Sequence, residues 1–472
     1  MNVKLTLNRG VLQALSPRAA RIIGHPLFPA LFSGTLIRFL LAPFTEQRWD
    51  NYVYRLMGAY VFGYGINPLF PERGCSCLPI LNYSYPPVWL GFILPLFRFW
   101  QLTTGFQFPA SADSLWAGGI SSNNIFQAYR SFVPPNLPLL DLLFKTPIIL
   151  ADTGIGYLIW LLGGKSRRMV KLSLLGWMLN PYAITISAVW GEFDSIAILF
   201  LLLSIYYMTK NRISWSGFWL GLGAATKIFP GLILPGLLIF LLFNRRGQIP
   251  KYLGIFSATT AAAFSSLIVF PYPLEYIGRL LTGRASPSFY GVTQFTGLSW
   301  MIVFNALSPP PQLPFSLILL PVMLGSVLAA YWKKLNVNSL LGLLAASLLC
   351  FYLSYPIVNV QYALWPIPML TVLAAKGKIR NIVLAGFSAI PAVMLYTSFN
   401  PIYMISPALI FDENNYPPAS DVVQQLWNFP SALFVVLPLI FAVLVIVAIR
   451  ALTRSRWDAN ASGSETRPRG RE

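Results

Sequence analysis

Apolar runs of about 20 residues return along this chain almost from one end to the other, and that length leaves few folds open. A stretch this long and this apolar is stable where water is excluded, and there only a helix or a closed barrel satisfies every backbone N–H and C=O. The runs show none of the strict alternation of a barrel strand. Of 472 residues, 56% are hydrophobic and 10% charged, against about 25% charged in a soluble domain. The fold class expected is all-α: a polytopic membrane protein of about 12–14 transmembrane helices. Candidate spans lie near residues 27–43, 86–101, 140–162, 170–189, 193–208, 215–227, 229–243, 252–271, 314–331, 338–355, 361–375, 381–399 and 430–450, with a shorter apolar piece at 298–307.

The net charge of +19 does not point to nucleic acid, because the basic residues are spaced between apolar runs. They follow the positive-inside pattern. Clusters at Lys165–Arg168, before Arg212, between Arg245 and Lys251, at Lys333–Lys334 and between Lys376 and Arg380 are expected in the cytoplasm. Residues 1–450 form the expected integral-membrane domain, and 451–472 a disordered cytoplasmic tail. The basic start (Lys4, Arg9, Arg18, Arg21) runs into a span without a small-residue cleavage site, so no cleavable signal peptide is expected. One parity conflict remains. If 27–43 goes out and 86–101 returns, 140–162 should end outside, yet "KSRR" follows it. Either the aromatic stretch 102–139 crosses or re-enters, or "KSRR" is an exception.

On this map acids, amides and aromatics gather on the non-cytoplasmic side. Asp50 stands in "EQRWDNYVYRLMGAYVFGYGINPLFP", an expected loop between the first two spans, with Trp49, Tyr52 and Tyr54 around it. Partial desolvation there suits a general base for a hydroxyl. In "NPYAITISAVWGEFDS", Asn180-Pro181 opens or kinks a span, Gly191 allows a tight turn and Asp194 is placed to cap the next helix, which leaves Glu192 unexplained. Lys227 sits in an apolar run three residues before Pro230, with no acid within a helical turn, so it either snorkels or meets an anion such as a phosphate. Gln361 and Tyr362 open a span beside Trp365, amide and ring groups of the kind that hold sugars. Cys75 and Cys77, two apart, form a strained disulfide or stay as thiols; Cys350 belongs to the core. The lone His25 is elsewhere, so no metal site is expected, and no cofactor.

Taken in order, Asp50 with "YVFGYGINPLFP", then "YSYPP", "NPYAITISAVWGEFDS", "TKIFP" and "QYALW" resemble the C-type glycosyltransferases. These are multispanning enzymes that use lipid-phosphate-linked sugars. The pattern is nearest to the branch holding the first mannosyltransferase of GPI-anchor assembly and its archaeal and bacterial polyprenyl-phosphate-mannose-dependent relatives. The GPI enzyme carries Asp-x-Asp where this chain has Arg48 and Asp50. The resemblance implies a catalytic base in the first outer loop, at Asp50. It matches Lys227 to the family's lysine before a proline, and Glu192, Asp194, Gln361 and Tyr362 to motif positions. The implied reaction is inverting transfer of a hexose, mannose above all, from a polyprenyl- or dolichyl-phosphate donor to a lipid or glycan hydroxyl at the membrane surface. The leaving phosphate then needs cations, supplied by Lys227, Arg279 or Arg284. The site would face away from the cytoplasm, in the plasma membrane or endoplasmic reticulum, with a small membrane subunit as a further partner. A lipid or solute transporter, or a non-catalytic membrane subunit, are the competing classes. Paired repeats and midplane charges would mark a transporter, and neither is visible.

Overall fold

The computed structural model describes residues 24–65, 85–108, 134, 136–265, 296–306, 314–332, 335–355, 357–398, 404, 406, 433–455 and 457. Over the described residues, the apolar stretches marked above are mainly helical. In chain order these are α1 (Leu27–Leu41, continued by a 3-10 turn Ala42–Phe44), α3 (Val88–Thr104), α4 (Leu137–Leu162), α5 (Arg167–Ser173) and α6 (Pro181–Ile184). They continue with α7 (Asp194–Thr209), α8 (Ile213–Ala224), α9 (Leu234–Asn244), α10 (Ile249–Ser265), α11 (Pro314–Tyr331), α12 (Val337–Ser354), α13 (Ile367–Ala375), α14 (Asn381–Ser398) and α15 (Leu433–Arg454). The strands among the described residues are a two-residue parallel pair, Thr296–Gly297 against Ile357–Val358.

The spans are unequal. Among the described residues, four helices are long and apolar enough to cross a bilayer: α1 with its 3-10 extension, α4, α12 and α15. A fifth is a bent pair, α5 and α6 with their π-helical continuations, angled by 48° where the sequence reads Asn180-Pro181. Proline cannot continue the backbone ladder, and the Asn180 side chain accepts the Tyr182 N–H instead. Helices such as Asp194–Thr209 and Val360–Ala375 are shorter. Apolar all round, α12 is buried along nearly its whole length, as a helix at the centre of a bundle must be. In α15 an apolar face with Leu439, Ile440, Val443 and Ile446 is exposed, the face a lipid would solvate.

One element departs from expectation. The stretch after the first span is not a loop but a helix, α2 (Arg48–Tyr64). The Gln47 side chain accepts the Asp50 N–H at 2.7 Å and caps it. Gly65, at φ 64, ends it with its N–H on the Tyr60 carbonyl. One face buries Tyr52, Leu56, Met57, Ala59 and Tyr60. Aromatic residues spaced for that face outweigh the polar first turn, which is why the segment looked like a loop. Helix α15 runs on to Arg454, and Trp457 is buried beside Tyr331, its carbonyl accepting the Asn336 side-chain N–H at 2.8 Å. Residues 458–472, most of the expected tail, lie outside the described residues, as do Cys75 and Cys77.

Breaking helices in an apolar interior frees carbonyls that no water can satisfy. Two buried cations meet them. The Arg38 guanidinium donates to the carbonyls of Gly34, Met178 and Trp177 and pairs with Asp152 at 2.6 Å. Lys145 donates to the carbonyls of Ala42 (3.0 Å), Val189 (3.2 Å) and Thr45. Near it, Arg55 pairs with Glu46 at 2.6 Å and lies 3.7 Å from Asp141. These networks fix α1, α2, α4 and the bent pair against one another.

The bundle has two distinct ends. Helix α7 starts at Asp194 and ends beside Lys210 and Arg212, about 24 Å away at 1.5 Å per residue. Helices α4, α9 and α13 likewise finish next to Lys165, Arg245 and Lys376, and α5, α8, α12 and α14 start from the basic end. Both α3 and α4 begin at the acidic end, where Val88 N–H meets the Ala225 carbonyl and Asp141 meets Arg55. Most of the sequence joining them lies outside the described residues.

Removing one partner of a buried pair leaves the other charged and dry, at a cost of about 3–5 kcal/mol. Arg38→Met should therefore lower the melting temperature in detergent sharply. Arg38→Met with Asp152→Leu should recover part of the loss, though not the carbonyl contacts. Equal melting of the single and double variants would show that the ion pair contributes nothing.

Candidate active site

The acidic end gathers the residues that the sequence singled out. Asp50 lies in the first turn of α2 and Asp194 in the first turn of α7, where the helix dipole favours negative charge. Lys227 follows the end of α8, its N–H bonded to the Gly223 carbonyl. Gln361, Tyr362 and Trp365 lie in and just after a 3-10 turn, Val360–Leu364, that leads into α13.

Lys227 is not without acids, as its sequence neighbours suggested. Its ammonium stands 2.6 Å from Asp194 and 3.4 Å from Glu192, brought from another helix by the Gly191 turn. Three rings surround it, with the ammonium 4.8 Å from the centre of Phe193, 5.5 Å from Tyr85 and 5.9 Å from Tyr362. Tyr85 comes from "YSYPP", whose place in the pattern is thereby explained. Snorkelling to the basic end is excluded, because the side chain is buried among these groups.

Asp194 does not cap α7. Its side chain takes Lys227 on one oxygen and the Trp365 indole N–H on the other. Trp365 is sandwiched between Phe229, 4.0 Å away, and Tyr362, 4.5 Å away, both stacked. Both faces of its indole are covered by these rings, and its N–H is spent on Asp194. The 3-10 turn is fastened by buried phenols, the Tyr352 hydroxyl donating to the Tyr362 carbonyl at 2.6 Å and the Tyr182 hydroxyl to the Val360 carbonyl. Gln361 is buried in that turn.

Glu192 lies in the turn between the bent pair and α7, within reach of Lys227 and of the Tyr54 hydroxyl at 3.4 Å. Burial pushes its carboxyl up from 4.5 to about 7, against the pull of Lys227, and the charges of Asp194 and Asp50 push the same way. Gly191 makes the turn possible. Its φ is +89°, and a Cβ there would stand 3.1 Å from Lys145 Cε and 3.2 Å from the Asn51 amide.

Asp50 is set differently. Among the described residues the other acids, Glu46, Asp141, Asp152, Glu192 and Asp194, are fully buried, while Asp50 is partly exposed. Its expected neighbours Tyr52 and Tyr54 turn into the core. The indole N–H of Trp190 donates to Asp50 Oδ2 at 2.7 Å instead. Trp190 was not among the candidate residues; its side-by-side position with "GEFD" was the available signal. Arg279 and Arg284 lie outside the described residues.

A carboxyl raised in the folded state adds stability that is whole below about 4.5 and fades as pH climbs through 7. Glu192→Gln lacks that gradient. The melting temperature of the wild type should thus fall relative to Glu192→Gln between about pH 5 and pH 8. Parallel pH profiles would show that Glu192 ionises like an exposed acid.

Comparison with known proteins agrees with this grouping. Segments of the chain are similar to proteins named GPI mannosyltransferase 1 from three yeasts. The Debaryomyces hansenii protein is 41% identical over 83 residues, 17% of this chain and 20% of its own length. That of Candida albicans is 32% identical over 129 residues, 24% and 31% of the two lengths. That of Saccharomyces cerevisiae is 30% identical over 87 residues, 18% and 21%. The matched stretches thus span between a fifth and about a third of those relatives. The family match is wider: residues 83–357, more than half of the chain and including Glu192, Asp194 and Lys227, match throughout, and the chain belongs to glycosyltransferase family 87.

Proposed function

We propose that this glycosyltransferase moves a hexose, mannose by its likeness to the yeast enzymes, from a polyprenyl- or dolichyl-phosphate donor to a hydroxyl of a lipid-linked acceptor, with inversion at the anomeric carbon. The observation that carries the reading is the exposure of Asp50. A general base must touch the acceptor, and among the described residues Asp50 is the partly exposed acid of an otherwise buried set. The acceptor oxygen forms its bond to C1 as the bond from C1 to the phosphate oxygen breaks. The acceptor proton passes to Asp50, and the lipid phosphate leaves as the anion. Family membership favours this over the transporter class.

Lys227 stands where the leaving phosphate needs charge. Its contact to Glu192 is the longer of its two ion pairs. A carboxyl that ionises near 7 releases that contact readily by taking a proton. A phosphate oxygen entering in its place keeps Lys227 paired on both sides, with Asp194 still holding the side chain in line. Arg279 and Arg284 are the further candidates. Tyr362 and Gln361 are proposed to face the sugar. The basic residues gathered at the opposite end support a site on the non-cytoplasmic face.

Asp50→Asn keeps the size and the Trp190 neighbour but cannot take a proton. Transfer by the purified protein should fall at least about 10²-fold, with melting unchanged. Near wild-type turnover would end the assignment. Lys227→Met alone should unfold readily, because it strands Asp194; Lys227→Met with Asp194→Asn removes both charges and should melt close to the wild type. Donor affinity of that double variant, measured directly with a polyprenyl-phosphate sugar, should drop at least about tenfold. Unchanged affinity would move the phosphate site to the arginines.

A further inference from the structure

Trp190, on another element, makes three hydrogen bonds to the cap and first turn of α2. Trp190 ends the π-helical segment Thr185–Trp190, immediately before the Gly191 turn. Its carbonyl accepts the Gln47 N–H at 3.1 Å and the Asn51 side-chain N–H at 2.7 Å. Its indole N–H reaches Asp50 Oδ2 at 2.7 Å. Gln47, Asp50 and Asn51 are the cap and first turn of α2, so these bonds fix the helix start in rotation and in height. Lys145 fastens the same junction from behind, through the carbonyls of Val189 and Thr45.

We propose that Trp190 is the positioning residue of the base: it orients the Asp50 carboxylate through Oδ2 and keeps Asp50 in register with Glu192 two residues further along its own chain. The proposal rests on the reading of Asp50 as the general base. The indole is bound differently from that of a tryptophan that serves the backbone. The side chain is 4% exposed, and its polar atom is spent on a partly exposed carboxylate rather than on the backbone. Trp177 shows the structural alternative in the same bent pair, its indole N–H donating to the Asp152 carbonyl at 3.1 Å. A carboxylate held on one oxygen by a rigid, neutral donor loses rotational freedom without losing its charge. A cation at the same place would hold it equally well but compete with the acceptor proton.

Ionisable groups bear on Asp50 from the facing turn. Glu192 is close enough for its charge to couple to Asp50, and behind it stand Asp194 and Lys227. On the other side of the helix start, Arg55, Glu46, Asp141 and Lys145 form the buried network. Changing Trp190 leaves these charges in place.

The test uses two replacements in the full-length protein in detergent. Trp190→Phe removes the N–H with some loss of ring. Replacement of Trp190 by benzothienylalanine removes the N–H with the outline preserved, and serves if the phenylalanine variant fails to fold. Infrared difference titration, with Asp50→Asn as the blank, isolates the Asp50 carboxyl. Its midpoint should move up by about one to two pH units, the equivalent of one hydrogen bond to a charged group. In steady-state transfer kcat should fall roughly 10- to 100-fold while direct donor affinity stays within about twofold. An unmoved titration midpoint in the benzothienyl protein overturns the proposal, as does a loss confined to donor affinity. If Asp50→Asn itself remains active, the base has been misassigned. If Asp50→Asn is dead but both Trp190 replacements titrate and turn over as wild type, only the positioning role fails.

Discussion

Helix breaks in a medium without water set the terms for everything else in this protein. Each break frees backbone groups, and each freed group must find a partner inside the chain. Arg38 and Lys145 supply that partner for the carbonyls at the ends of α1 and of the bent pair. Their own charges then need acids, and Asp152 and the Glu46–Arg55–Asp141 group stand beside them. So an apolar bundle comes to contain several buried ions, none placed by surface chemistry. Replacing them with apolar groups would leave the carbonyls stranded, which is why a hydrophobic substitute is no equivalent here.

The same breaks build the site. Asp50, Asp194, Lys227 and the turn with Gln361 and Tyr362 all lie at helix ends or in the turns between helices. Helix ends at one end of a bundle converge by construction, and first turns favour carboxylates. Residues far apart in sequence are thereby set in contact without a dedicated domain. The arrangement separates two kinds of acid. Glu192 and Asp194 are buried and spend their charge on Lys227; Asp50 is partly exposed and held by a neutral indole. On the proposed function, one population fixes the geometry and the other meets the substrate. A transferase of the kind proposed, whose substrates would approach with their tails in lipid, requires that division.

Aromatic residues complete the division. Tyr85, Phe193 and Tyr362 ring the Lys227 ammonium, and Phe229, Trp365 and Tyr362 stack behind Asp194. Rings of this kind exclude water and strengthen the ion pairs they enclose. They also cover both faces of Trp365, whose indole N–H is spent on Asp194.

The sequence by itself determined the membrane class, the helical character of each apolar stretch and the segregation of basic from acidic residues. Run length and composition dictate those directly. It also marked Asp50, Glu192, Asp194 and Lys227, because charge in an apolar context is costly and visible. The tertiary structure decided what those charges do. Lys227 had no acid within a helical turn in sequence, yet two carboxylates meet it across a turn that only Gly191 allows. Asp194 looked like a helix cap, but a lysine and an indole brought from distant segments compete better for its oxygens than its own backbone does. The stretch around Asp50 looked like a loop because its polar first turn masked a face of aromatics, and that face became legible only once α3 and α4 were there to bury it. Trp190 carried no charge and so no warning. Its hydrogen bond to Asp50 spans 140 positions of sequence, and a contact of that range is settled by packing, which a linear pattern does not contain.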